Sequence, residues 1–261
     1  MEAMTIPLRE SARPYFARES IKGAESATLD HYIVVGDRII KECSNERFIS
    51  AAKAKDLAQR STSPLKLHIG QGVNDQDLKQ LYALEQGRVS IEPKRFVARA
   101  CSATTHKHIA SNIAISRAWD NGNGTYSSAL MIDEENSQLS DHLTGQHISG
   151  MMIVEAARQM SIATAEQFYM DSRLSRKVNF ISHSISVEFK DFLLPVPTEI
   201  LCIPVSLKRS GRQNFRFSVV LQFRQQGQSL ADIKIDTSVI DSRYFYLKEN
   251  QLVHRYITKA N

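Results

Sequence analysis

The chain has 261 residues, 42% apolar and 23% charged, with a formal net charge of +5 and a pI near 9.1. That length can bury a sizeable core, that balance excludes a long disordered chain, and the mild basic excess favours anionic partners without choosing among nucleic acid, phosphorylated metabolites and acidic carrier proteins. The three cysteines, Cys43, Cys101 and Cys202, are far apart and form no C-x-x-C pair, which excludes a zinc ribbon or a disulfide framework and points to reduced thiols in a cytoplasmic protein.

The opening stretch "MEAMTIPLRESARPYF" has no apolar core, so no signal peptide is expected. The stretch "HYIVVGDRIIK" (31–41) reads as a short hairpin turning at Gly36-Asp37. Asn45 is placed to cap a helix over "ERFISAAKAKDLAQ", closed by "RSTSP". A second helix is expected over "DQDLKQLYALEQ", with Asn74 as N-cap and Gly87 as its stop. The linker from Arg60 to Val73 is too long for a helix-turn-helix. Residues 1–92 are therefore expected to form an accessory α+β unit, and nucleic acid is not an expected partner.

Near residue 93 the pattern turns to β. "HIASNIAISRAW" (108–119), the turn "DNGNG" and "TYSSALMI" form a hairpin signal. After the next helix, Ile181 to Phe189, Leu201 to Leu207, Phe215 to Phe223 and Ala231 to Val239 each place apolar residues at alternate positions. Four such runs predict an antiparallel sheet with one buried and one wet face. The helix between, from about 148 to 170, would be roughly 33 Å long. It is apolar on nearly every side: Met151, Met152, Ile153, Val154, Ala156, Ala157, Met160, Ile162, Ala163 and Phe168. A helix of that kind is surrounded. The expected fold is α+β: a curved antiparallel sheet wrapped around one long central helix, spanning 93–261, behind an N-terminal α+β extension. Its uncharged run is too short to cross a membrane.

Glu155, Arg158 and Gln159 interrupt that helix at i, i+3, i+4 and so share one face. Well-packed apolar residues would serve stability as well or better. A satisfied internal ion pair is one reading. The other is a site in which a carboxylate acts as general base and a guanidinium orients it or holds an anion. The flank "DHLTGQHISG" adds Asp141, His142 and His147 just before the helix, with Gly150 and Met151 opening it. Free N–H groups there suit a thioester carbonyl or oxyanion. His106, His108, His142 and His147 are candidate metal ligands by type, but no Cys or carboxylate spacing accompanies them. Neither a metal nor a cofactor is expected. The phosphate-loop and G-x-S-x-G patterns are absent.

"THKHIASNIAISRAW" followed by "DHLTGQHISGMMIVEAARQ" closely resembles the A-factor biosynthesis hotdog family, over about residues 95–243. His147, Gly150, Met151, Glu155, Ala156, Ala157, Arg158 and Gln159 match its motif H-x-x-G-M-x-x-x-E-A-A-R-Q. His106 and Lys107 match its V-H-K-type strand, with Thr105 where Val is usual. The resemblance implies transfer of a β-ketoacyl group from an acyl carrier protein, or a coenzyme A thioester, to dihydroxyacetone phosphate or a similar phosphorylated acceptor. The product would be the precursor of a γ-butyrolactone signal. Glu155 and Arg158 would be the working pair, His142 or His147 would assist proton transfer, and Gly150, Met151, Gln159 and Asp141 would contact substrate. Well-known members carry two hotdog units. Here residues 1–92 lack the signature, so they are either a degenerate partner or something else, and a single hotdog is expected to form a homodimer with sites at the seam. A hotdog dehydratase or thioesterase, and a non-catalytic acyl-binding regulatory module, are the alternatives.

Overall fold

A computed structural model describes residues 30–93, 98–137, 145–170, 177–211 and 214–259. The N-terminal part is β1 (Asp30–Val35), α1 (Asp37–Ile40), β2 (Phe48–Ser50), α2 (Ala51–Arg60), β3 (Leu65–Ile69), α3 (Asp75–Tyr82) and β4 (Val89–Glu92). The four strands form one sheet in the order β2-β1-β3-β4, and every pairing in it is parallel. This corrects one expectation: there is no hairpin at Gly36-Asp37, because the chain enters α1 there. An all-parallel sheet also differs from the antiparallel sheet of a hotdog. Gly36 is needed for close approach: a Cβ on it would lie 2.2 Å from the carbonyl oxygen of Gly72.

Asn45 also behaves differently from expectation. Its side chain accepts from the Arg47 amide at 2.9 Å inside a turn, and Phe48–Ser50 then becomes a strand. Ser50 caps the shorter helix α2, accepting from the Lys53 amide at 3.3 Å. Asn74 does cap α3, accepting from the Asp77 amide at 2.9 Å. That helix ends at Tyr82, before Gly87 is reached. One face of the parallel sheet, with Val34, Leu65, Leu67, Val89 and Ile91, is buried together with Ala54 of α2 and Leu78 and Leu81 of α3.

The second part contains α4 (Ser102–Thr105), a 3-10 turn (Ala110–Asn112), β5 (Trp119–Asp120), β6 (Tyr126–Ala129) and the central helix α5 (Gly150–Thr164), which runs into a π turn (Ala165–Tyr169). Strands β7 (Val178–Phe189), β8 (Glu199–Arg209), β9 (Phe215–Gln225) and β10 (Gln228–Asp241) follow, then α6 (Ser242–Lys259). The sheet order is β5-β6-β8-β9-β10-β7, antiparallel at each junction. Met152, Ile153, Ala156, Ala157, Met160 and Ala163 of α5 are buried in one cluster with Phe217, Val219, Leu221, Phe223, Ile233 and Ile235 of the sheet. Each large side chain so buried contributes about 1.5–3 kcal/mol, and the alanines let helix and sheet approach. This is the hotdog arrangement, with α5 as its filling.

The strand expected over 108–119 is mostly irregular until Trp119 opens β5. Only the isolated bridges Arg99–Ser116 and Ile115–Leu130 extend the β5–β6 hairpin. The reason is buried Gln159: its amide nitrogen donates to the Asn112 carbonyl at 2.9 Å and its oxygen accepts from the Ala114 amide at 2.9 Å. Those backbone groups would otherwise need a ladder. His106 and His108 therefore do not share a strand face, and His106 ends α4 in the left-handed region, φ 55°.

The two sheets share a core. Val35 and Ile39 of the parallel unit are buried in the central-helix cluster. Gln71, 1% exposed, donates to the carbonyls of Leu130 (3.1 Å) and Val196 (3.3 Å) and accepts from the Ile132 amide (2.9 Å). Arg99 joins Asp75 of α3 (2.9 Å) to Asp133 (3.5 Å) and the Ile113 carbonyl (2.5 Å). Among the described residues no helix is long and apolar enough to cross a membrane.

Candidate active site

Ser149 starts α5 as its N-cap, accepting from the Met152 amide at 3.4 Å. The Gly150 and Met151 amides, first in the helix, have no intrahelical acceptor to bond. Gly150 lies under Phe189: a Cβ there would sit 2.8 Å from the ring's Cζ. One turn on, Glu155 points from the same side as Met151, which is 69% exposed.

Both oxygens of the Glu155 carboxylate are taken. Arg158 grips them as a fork, Nε to Oε2 at 2.8 Å and one terminal nitrogen to Oε1 at 2.9 Å. Gln159 donates to Oε1 at 3.0 Å, and the Lys107 ammonium reaches the same oxygen at 2.7 Å. Burial alone would push this carboxyl upward. The combined donation of Arg158, Lys107 and Gln159 overrides that and holds it down at about 2. The same pairing raises the Arg158 guanidinium above its ordinary value. The group is a fixed carboxylate between two cations. It is not sealed: the side chains of Glu155, Lys107 and Arg158 are 13%, 24% and 31% exposed.

The motif residues separate into several places. Glu155, Arg158 and Gln159 come together as their spacing implies. Gln159 is fully buried, its amide committed to Asn112, Ala114 and Glu155, so it holds the carboxylate from behind. His147 packs its ring against Phe192, centroids 4.9 Å apart. It is not among the described groups bonded to Glu155. Asp141 and His142 lie outside the described residues. Lys107 is the addition: it stands in the H-K pair already noted at 106–107, but nothing in its spacing connects it to Glu155. Among the described residues no group of three or more His, Cys, Asp and Glu side chains is placed to hold a metal.

The apolar surface beside this centre is open. Met151 at the start of α5, Ile185 and Phe189 on β7, and Phe192 just after it are all exposed. A cleft of about 350 Å³ lies elsewhere, lined by Leu207, Arg209, Phe215 and Val239 among others, and does not include the carboxylate.

The model of the A-factor biosynthesis hotdog domain matches residues 90–241. The chain belongs to the A-factor biosynthesis hotdog family. No curated protein matches it. Among solved structures this family member is similar to a mutant thioesterase from Pseudomonas aeruginosa (12% identity, 54% of this chain and 91% of the other, TM-score 0.37). It is also similar to a thioesterase from Haemophilus influenzae (12%, 50% and 81%, 0.34) and to a hypothetical thioesterase with coenzyme A from Streptococcus pneumoniae (13%, 45% and 80%, 0.32).

Proposed function

We propose that this A-factor-family hotdog is an acyltransferase. It would move a β-ketoacyl group from an acyl carrier protein or coenzyme A thioester to the hydroxyl of a small phosphorylated acceptor such as dihydroxyacetone phosphate. The observation that carries the reading is the carboxylate of Glu155 held between Lys107 and Arg158 beside an exposed apolar surface. Two cations suit an anionic acceptor, and the apolar surface suits an acyl chain.

A carboxylate held near 2 is a poor base, since general bases work best near ambient pH. The acceptor's phosphate supplies the remedy. It competes for Lys107 and Arg158, and as they turn toward it Glu155 loses donors and gains basicity. Lys107 gives way more easily, because it makes one bond from a neighbouring segment while Arg158 makes two from the same helix. Glu155 then takes the proton of the attacking hydroxyl as the new C–O bond forms, and the amides of Gly150 and Met151 receive the oxyanion. Collapse breaks the C–S bond, and the thiolate recovers the proton from Glu155 or by way of His147.

The seam is part of the proposal. Among the described residues strand β7 pairs with β10 on one side only, and its exposed Ile185 and Phe189 suit a second copy of the chain.

The test is mass spectrometry of the product from β-ketoacyl carrier protein and dihydroxyacetone phosphate. The expected product is the ester, and Glu155→Ala is expected to lower its formation at least about 100-fold in a chain that still folds cooperatively, though with a lower thermal midpoint. Free acid in place of ester would turn the reading to a thioesterase. Undiminished ester formation by Glu155→Ala would remove Glu155 from the chemistry.

A further inference from the structure

We infer that His106 and Glu166 form a latch that positions Lys107 on Glu155. The role assigned to Lys107 rests on the acyl-transfer reading above. His106 and Lys107 are chain neighbours whose side chains serve opposite ends of one helix. His106 Nε2 donates to Glu166 at 2.8 Å, while the Lys107 ammonium reaches Glu155 at 2.7 Å. The two carboxylates are eleven residues apart, about 16 Å along the helix axis. Both ends of the bridge are therefore referenced to a single rigid rod.

His106 has the geometry of a pivot. It is one of two non-glycine residues with positive φ among those described, and that turn sends consecutive side chains in opposing directions. Side chains disfavour this conformation unless their surroundings impose it. Here Glu166 holds the ring from one side, and Phe180 meets it edge-on with centroids 5.1 Å apart. Upstream, buried Thr105 ties its hydroxyl to the Cys101 carbonyl at 3.1 Å, which fixes the turn below the pivot. Glu166 itself stands in the π turn that ends the central helix, a distortion frequent at functional sites. Without the latch Lys107 is a flexible amine on a short segment, and with it the amine has one address. His106 and Glu166 are thus positioning residues, acting on the acceptor anion through Lys107.

The experiment compares Glu166→Ala, Glu166→Gln, Lys107→Met and the double variant Glu166→Ala/Lys107→Met in the full chain. Two readouts are used: ester formation against dihydroxyacetone phosphate concentration, and the ¹³C NMR signal of reductively methylated Lys107, assigned by its loss in Lys107→Arg. Glu166→Ala is expected to move the Lys107 signal toward that of free surface lysines and to lower kcat/KM for the acceptor about tenfold, mainly through KM. Glu166→Gln keeps an oxygen that accepts from His106 and is expected to restore both. The double variant is expected to be no worse than Lys107→Met. An unmoved Lys107 signal in Glu166→Ala, or losses that multiply in the double variant, would overturn the latch. A moved signal in a chain whose wild type forms no ester would support the latch and overturn the acyl-transfer reading.

Discussion

Glu155 is the residue on which stability and chemistry pull against each other. Its carboxyl is held at about 2 against an ordinary 4.5. The folded state therefore binds its proton less tightly than the unfolded chain does. The stabilisation, about 3 kcal/mol, is fully present above pH 4.5 and is lost as pH falls from there toward 2. Urea unfolding at pH 5 and pH 3 is expected to show a steeper loss for the wild type than for Glu155→Gln; equal losses would mean that the three donors do not hold the charge. Much of this centre was legible from spacing, because i, i+3, i+4 fixes a shared helix face whatever the surroundings. Lys107 was not, since its meeting with Glu155 depends on a left-handed turn at His106 that no local pattern announces. The burial of Gln159 was hidden for a similar reason: only the fold shows that its face turns toward the Asn112 and Ala114 backbone.

Among the elements, the four long strands and the central helix could be read directly, since period-two alternation and all-round apolarity each have one economical packing. The parallel sheet could not. Parallel strands usually read as continuous apolar runs because both their faces are covered. Here α2 and α3 cover one face, while His31, Lys66 and His68 occupy alternate positions on β1 and β3. "LKLHI" thus alternates like an antiparallel strand. Nor did the sequence mark Gln71, which satisfies two carbonyls and one amide across the junction between the sheets. Gln71→Leu takes the side-chain partner from the buried Leu130 carbonyl and Ile132 amide, and leaves the Val196 carbonyl with the Thr198 hydroxyl alone; it is expected to cost about 2–4 kcal/mol. Chemical denaturation measures it, and a loss below about 1 kcal/mol would mean that water reaches the junction.

At the scale of the whole molecule, the exposed Met151, Ile185, Phe189 and Phe192 lie by a sheet edge that has one neighbour among the described residues. If a second copy covers them, sedimentation equilibrium will report a dimer. Ile185→Glu will then give monomers that, on the proposed function, have also lost most ester formation, because exposed Met151 stands one turn before Glu155. A monomeric wild type would place the whole centre within one chain. The shared interior has a separate consequence. Val35 and Ile39, from the parallel unit, are buried among the residues that enclose the central helix. The hotdog and the parallel unit thus share buried surface. A chain beginning at residue 93 would bare the hollow those two side chains fill and is expected to aggregate on expression, and scanning calorimetry of the full chain should record one cooperative melt, not two.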